Sequence, residues 1–140
     1  MIKQGLNIAV LALSLAFALP ASATETLSKA LNTQVSVTGQ MTEQKFTNLL
    51  KQGFKSVIVN RPDEESGNTT PVNTLRNIAE QSHVSVIYQP VVSGKISQTD
   101  IQEFAKYYNE LPKPVLLVCR SGSRSTSLFQ QAQAQGLLNE

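Results

Sequence analysis

Residues 119–125, with the sequence Cys-Arg-Ser-Gly-Ser-Arg-Ser, contain the only cysteine of the chain. An apolar stretch at 114–118 leads into this segment, and a helical pattern follows it. Backbone N–H groups of such a loop, together with the first turn of a helix, bind anions and favour a thiolate over a thiol. The guanidinium of Arg124 matches two oxygens of a tetrahedral anion. The segment therefore predicts that Cys119 is a nucleophile that acts on an oxyanion or on sulfur.

The rest of the loop fits an anion cradle. Gly122 lets the backbone turn toward a ligand without a side chain in the way. Arg120 points either to the ligand or to solvent. The alternative interpretation of Cys119 is a small buried hydrophobe at a strand end, but a glycine and two arginines within the next five positions disfavour it. The predicted anion-binding residues are Arg120, Ser121, Gly122, Ser123 and Ser125.

The first 23 residues have the pattern of a cleavable signal peptide. Lys3 precedes an apolar stretch at 8–19, and the small residues at 21–23 fit a cleavage site. An uncleaved membrane anchor is the alternative, but a span needs about 20 apolar residues. We therefore expect a periplasmic or secreted protein. Cleavage removes Lys3 and lowers the formal net charge from +2 to +1, which is too small to predict nucleic acid or an anionic membrane as partner.

Residues 24–140 are long enough for a single domain with its own core. One cysteine and one histidine can form neither an internal disulfide nor a zinc site built from thiols. We expect no metal and no cofactor. The expected partner is a small anionic substrate, with a second copy of the chain or a protein sulfur acceptor as further alternatives.

Strand and helix patterns alternate along this domain. Residues 35–37 predict an edge strand, and further strands are predicted at 54–59, 84–88 and 114–118. Helices are predicted after the N-cap Thr42 and up to Gly53, around 72–79, after the capping-box residues 97–100, and after the cysteine loop. This order predicts an α/β fold with a mostly parallel sheet flanked by helices.

Ligands of such sheets bind beyond the carboxyl ends of the strands. We therefore expect the loops at 60–68 and 89–95 to meet the cysteine loop there. Arg61 then adds charge at the crevice or pairs with Glu64 or Glu65. Asp63 is either an acid that reaches a leaving group or a turn residue after a proline, and the turn role is favoured.

Four segments, at 37–40, 57–63, 89–94 and 119–125, resemble the beta-lactamase hydrolase-like, protein phosphatase-like family, and the resemblance covers most of residues 24–140. It implies a three-layer fold similar to dual-specificity phosphatases. It also implies that Asn60 braces the cysteine loop through hydrogen bonds. Members of the family are described as phosphatase-like and as sulfurtransferase-like. The resemblance therefore indicates the fold but leaves both reactions open.

Three features of the sequence distinguish between phosphatase and sulfurtransferase activity. Phosphatases of that fold place five residues between the cysteine and the arginine, whereas four separate Cys119 from Arg124, as in rhodaneses. Val118 stands where the phosphatases usually have histidine, and no aspartate follows Pro90 as general acid. The predicted function is therefore sulfur transfer through a persulfide on Cys119. The alternatives are a phosphatase-like hydrolase with a thiophosphate on Cys119, for which Asp63 is the one substitute acid, and a non-catalytic oxyanion-binding or redox-responsive module.

Overall fold

The computed structural model describes residues 26–140, so the signal peptide predicted at 1–23 lies outside the described part of the chain. No helix between residues 26 and 140 is both long and apolar enough to cross a membrane. The elements in chain order are β1 (Lys29–Asn32), β2 (Val35–Thr38), α1 (Glu43–Leu50), β3 (Ser56–Val59), α2 (Val72–Glu80), β4 (Ser85–Tyr88), α3 (Gln98–Glu110), β5 (Val115–Val118) and α4 (Ser123–Ala134).

The five strands form one sheet in the order β1-β2-β5-β3-β4. All neighbouring pairs are parallel except β1 with β2, which confirms the predicted mostly parallel α/β sheet. The prediction of an edge strand at 35–37 is wrong, because β1 pairs with β2 and occupies the edge itself. The residues of β1 are mostly exposed and lack an alternating apolar pattern, so the sequence carries little signal for this strand.

Helices cover both faces of the sheet and make three layers. On one face α1 and α2 pack on alternate residues of the central strands, including Val57, Leu116 and Val118. On the other face α3 and α4 pack on Ile58, Val115 and Leu117. Because both faces are covered, β3 and β5 are buried at every position, and residues 57–59 of β3 and all of β5 are apolar.

Two of the predicted helix starts rest on side-chain caps. The hydroxyl of Thr42 accepts a hydrogen bond from the N–H of Lys45 at the start of α1. Ser97 and Asp100 form the predicted capping box at the start of α3. The helix α1 ends slightly earlier than predicted, with Lys51 as its C-cap, and Gly53 turns the chain two residues later with φ of +103°.

The parallel pairing brings the carboxyl ends of four strands to one edge of the sheet. The N–H of Cys119 donates to the carbonyl of Thr38 at 3.2 Å, and the N–H of Asn60 donates to the carbonyl of Val118 at 2.7 Å. The N–H of Gln89 donates to the carbonyl of Val59 at 2.9 Å. The first residues beyond β5, β3 and β4 therefore lie side by side, as the sequence predicts.

Candidate functional site

Cys119 is the first residue after β5 and begins the tight turn that leads into α4. Its side chain is buried, with 1% of the residue exposed. The N–H of Gly122 donates to its Sγ at 3.0 Å. Gly122 immediately precedes α4 and has φ of +96°, a backbone conformation that favours glycine over side-chain-bearing residues. The turn thus aims backbone donors and the start of a helix at the sulfur.

These donors change the acidity of the thiol. Burial alone raises the pKa of Cys119, but hydrogen bonds from the backbone and hydroxyl of Ser125 and from the N–H groups of Ser121 and Gly122 outweigh it. The net result is a pKa below the ordinary value of a cysteine thiol. Because the thiolate is the reactive form, the loop favours nucleophilic chemistry at the sulfur.

Arg124 projects from the first turn of α4 and is buried, with 7% exposed. Its Nη1 donates to the carbonyls of Asn60 at 3.3 Å and Val91 at 2.9 Å. Its Nη2 forms an ion pair with Glu65 at 2.9 Å. Within the described part of the chain, its buried Nε–H has no acceptor. The guanidinium is therefore anchored on one side, while one buried donor has no partner among the described residues.

Glu65 also holds the second arginine of this region. The Nε of Arg61 lies 3.0 Å from a carboxylate oxygen of Glu65. The other two nitrogens of Arg61 donate to the side chain of Gln40 at 2.6 Å and to the carbonyl of Ser66 at 2.9 Å. Of the two roles predicted for Arg61, the structure contains the pairing with Glu65. Its guanidinium braces the loop 60–68 and supplies no free charge to the crevice.

A chain of buried polar groups runs behind the cysteine turn. The hydroxyl of Ser125 donates to Oδ1 of Asn60 at 2.8 Å. The Nδ2 of Asn60 donates to the backbone carbonyl and to Oε1 of Gln89, at 3.1 and 3.3 Å. The Nε2 of Gln89 in turn donates to the carbonyl of Asp100 at 2.9 Å. Asn60 thus contacts the cysteine turn through Ser125, in the position that the family resemblance implies.

An open cavity of about 290 Å³ lies above Cys119. Of the five predicted anion-binding residues, Arg120, Ser121 and Ser123 are exposed and border this cavity, whereas Gly122 and Ser125 are buried and do not line it. The loop after β4 closes the opposite side. The residues lining the cavity are Ser93, Gly94, Ile96, Cys119, Arg120, Ser121, Ser123, Arg124 and Ser127.

Asp63 has a different environment. Its Oδ1 accepts a hydrogen bond from the N–H of Val72 at 2.9 Å, the first residue of α2. Pro71, at the N-cap position of α2, provides no side-chain cap, so Asp63 satisfies this helix terminus from the preceding loop. The contact matches the turn role that the sequence favours for Asp63.

A close backbone contact fixes the cysteine turn against β2. A Cβ atom at Gly39 would lie 2.7 Å from the carbonyl oxygen of Arg120 and 3.0 Å from Cα of Ser121. Cβ atoms are essentially never found below 3.0 Å from such atoms. Glycine at this position therefore allows the turn to sit directly on the end of β2.

Sequence reasoning missed the contact of Glu65 with Arg124 and the role of Gln89. Glu65 follows Arg61 by four residues, a spacing that suggests pairing, but nothing in the sequence indicates that it also reaches Arg124. Gln89 is a polar residue at the carboxyl end of β4, directly beside Asn60 at the end of β3. That placement is the one signal that could have identified it.

Comparisons with known proteins agree with this architecture. The family model for the phosphatase-like domain of beta-lactamase hydrolase-like proteins matches residues 28–136. A crystal structure of a candidate phosphatase from Neisseria meningitidis superposes with a TM-score of 0.73 at 26% identity, covering 80% of each chain. The three-layer fold similar to cysteine phosphatases is thereby confirmed.

Curated relatives carry the same family description. A beta-lactamase hydrolase-like protein of Agrobacterium fabrum is 33% identical over 106 residues, which are 74% of this chain and 24% of that protein. One from Xylella fastidiosa is 28% identical over 99 residues, which are 71% of this chain and 23% of that protein. The chain thus matches about a quarter of the length of these relatives.

The lowered pKa of Cys119 predicts a pH profile. We expect the rate of alkylation by iodoacetamide to reach half its maximum at a pH below the ordinary pKa of a thiol, because the thiolate is stabilised in the fold. The same measurement in denaturing urea serves as control, since unfolding removes the donors and restores the ordinary midpoint. Equal alkylation midpoints in the folded and the urea-unfolded protein would show that the fold does not stabilise the thiolate.

Substitution of Gly39 tests the close contact with the cysteine turn. Gly39→Ala should displace the backbone at Arg120 and Ser121 and move the alkylation midpoint of Cys119 back toward its ordinary value. Alkylation profiles and amide NMR shifts of residues 119–125 measure both effects. A variant with an unchanged midpoint and unchanged shifts would show that the contact does not position the turn.

Proposed function

Because the chain belongs to the phosphatase-like domain family of beta-lactamase hydrolase-like proteins, we propose that it is a cysteine-dependent hydrolase of phosphate esters. The observation that carries this proposal is the buried Nε–H of Arg124, left without an acceptor among the described residues, next to a thiol whose pKa is lowered. A tetrahedral dianion above Cys119 supplies the missing acceptor.

The reaction has two displacements at phosphorus. In the first, the thiolate of Cys119 attacks phosphorus, the ester P–O bond breaks, and the alkoxide or phenoxide leaves with the electron pair and takes up a proton from solvent water. In the second, water attacks phosphorus, the P–S bond breaks with its electron pair on sulfur, and the thiolate is regenerated while inorganic phosphate leaves with the protons of the water. The N–H groups of the turn and the Nε–H of Arg124 would stabilise the equatorial oxygens in both transition states.

The surroundings of the site point to a class of ester. The loop 89–95, between β4 and α3, contains no aspartate or glutamate. Asp63 and Glu65 already accept hydrogen bonds from the fold. A leaving group that needs no protonation is therefore favoured, and we propose aryl phosphates as substrates over alkyl phosphates.

Sulfur transfer is the second candidate. Its specific support is the four-residue spacing between Cys119 and Arg124, the spacing that motivated the sulfurtransferase prediction. The family model and the Neisseria structure carry phosphatase descriptions and so favour the hydrolase. In a sulfur transfer, the thiolate would attack the outer sulfur of thiosulfate, sulfite would leave with the electron pair, and Cys119 would hold a persulfide.

Three variants test the hydrolase proposal with 4-nitrophenyl phosphate. Cys119→Ser should abolish hydrolysis, because an unactivated hydroxyl replaces the thiolate. Arg124→Lys should lower kcat/KM by about 10²- to 10³-fold, because the charge stays while the planar fork is lost. Arg76→Lys, an exposed substitution on α2, is the matched control and should match the unaltered protein.

Two outcomes would contradict the proposal. Hydrolysis that survives in Cys119→Ser would place the activity elsewhere. An inert protein that gains one sulfur atom at Cys119 after thiosulfate treatment, detected by mass spectrometry, would replace the hydrolase with the sulfurtransferase.

A matched pair of substitutions separates the two roles of Asp63. Asp63→Asn keeps an oxygen for the N–H of Val72 and should retain both stability and aryl phosphatase activity. Asp63→Ala should lower the free energy of unfolding by about 1 kcal/mol, as for a lost helix cap, with activity kept in the folded fraction. Urea unfolding and steady-state kinetics provide the measurements. A loss of 10²-fold or more in kcat for Asp63→Asn would identify Asp63 as the acid.

A further inference from the structure

A second open cleft lies beside the cavity above Cys119. Its volume is about 450 Å³, within the range of about 300–1,000 Å³ that is usual for ligand sites. We call it the proline cleft, because two prolines contribute to its wall. The residues that line it come from the loops after β3 and β4 and are Pro62, Glu64, Glu65, Pro90 and Val92.

The proline cleft and the cavity above Cys119 are direct neighbours. Glu65 lines the cleft and lies 2.9 Å from Nη2 of Arg124, which lines the cavity. Val92 lines the cleft, and the next residue in the chain, Ser93, lines the cavity. The two spaces are thus adjacent across one ion pair and across one peptide bond. A substrate whose phosphate lies above Cys119 can therefore extend into the cleft.

The wall of the proline cleft is apolar and offers few hydrogen bonds. Proline has no N–H group, and the carbonyl of Pro62 already accepts from the N–H of Glu65 at 3.1 Å and from Nδ2 of Asn68 at 3.0 Å. The carbonyl of Val92 accepts from the N–H of Lys95 at 3.1 Å. Val92 is 57% exposed, the one large hydrophobic side chain between residues 26 and 140 that is exposed. With two proline rings it makes a concave apolar surface, which ligands typically cover.

The charge at the rim of the proline cleft is negative. Glu64 is exposed and forms no ion pair with any residue between 26 and 140. The carboxylate of Glu65, in contrast, is paired with Arg61 and Arg124. The neighbouring cavity is bordered by Arg120 and Arg124. A partner with an anion for the cavity and a cation for the cleft therefore matches both charges.

We propose that the proline cleft binds an arginine side chain of the polypeptide that presents the phosphate ester to Cys119. The methylene stem of this arginine covers the proline rings and Val92, while its charged head reaches the carboxylate of Glu64. Lysine has a similar stem but lacks the planar fork that pairs with a carboxylate through two hydrogen bonds. The inference rests on the proposed function, and it narrows the substrate to an aryl phosphate carried by a protein segment with a neighbouring arginine.

Three phosphotyrosine peptides test the inference through their kcat/KM values. The first has arginine on each side of the phosphotyrosine, the second has citrulline, which keeps nearly the same shape without the charge, and the third has alanine. The arginine peptide should exceed the citrulline peptide about fivefold, the upper value for an exposed ion pair. The citrulline peptide should exceed the alanine peptide about fourfold, as for one buried CH₂ group, because its stem covers the wall of the cleft.

Two substitutions separate the charged and the apolar part of the proline cleft. Glu64→Gln should reduce the ratio of the arginine to the citrulline peptide to about one. Val92→Ser should reduce the ratio of the citrulline to the alanine peptide. Glu80→Gln, which removes an exposed carboxylate from the end of α2, is the matched control and should keep both ratios. Each value is a ratio within one variant, so differences in the folded fraction cancel.

An NMR titration of Cys119→Ser with the same peptides gives a measurement without turnover. The arginine peptide should shift the amide signals of Glu64 and Val92 at lower concentration than the citrulline peptide does, and the signal of Glu80 should stay constant. Such shifts in a protein that hydrolyses no phosphate ester would refute the proposed function alone.

Three results overturn the inference and leave the hydrolase intact. The first is hydrolysis of all three peptides with equal kcat/KM. The second is a preference for arginine that persists in Glu64→Gln. The third is a preference for the citrulline or the alanine peptide over the arginine peptide, which would assign the proline cleft to an uncharged partner.

Discussion

The buried guanidinium of Arg124 joins the three loops that surround Cys119. It extends from α4 to carbonyls of Asn60 and Val91, beyond β3 and β4, and to the carboxylate of Glu65. Loss of a partner would leave the buried guanidinium uncompensated, and the three loops depend on this one side chain for these contacts. The geometry of the anion cradle and the closure of the crevice are consequences of the same set of contacts.

Burial of so many polar groups is tolerated because nearly all of them are paired. Asn60, Gln89 and Ser125 satisfy one another and the neighbouring backbone, and such a network costs little only when it is complete. The exception is the Nε–H of Arg124 among the described residues. A buried N–H group without an acceptor is expected at a ligand-binding site, because the bound ligand supplies the acceptor.

Much of the fold was predictable because it depends on hydrophobic patterning and on helix N-caps, which are visible in the sequence. The continuous apolar runs of β3 and β5 indicate buried parallel strands, and Thr42 and Ser97 mark helix starts through their hydroxyls. The strand β1 was missed because its side chains are mostly exposed, so its position depends on backbone pairing with β2. The contact of Glu65 with Arg124 and that of Gln89 with Asn60 were missed because the partners are 59 and 29 residues apart in sequence, and local patterns do not encode such contacts.

In the proposed reaction, Cys119 accepts a phosphoryl group. Rapid-quench mass spectrometry of the protein mixed with excess 4-nitrophenyl phosphate tests it most directly. We expect a phosphoryl group on the peptide containing Cys119, formed together with a burst of nitrophenol and absent from Cys119→Ser. Steady nitrophenol release with Cys119 unmodified at every quench time, when water rather than the thiolate attacks phosphorus, would contradict it.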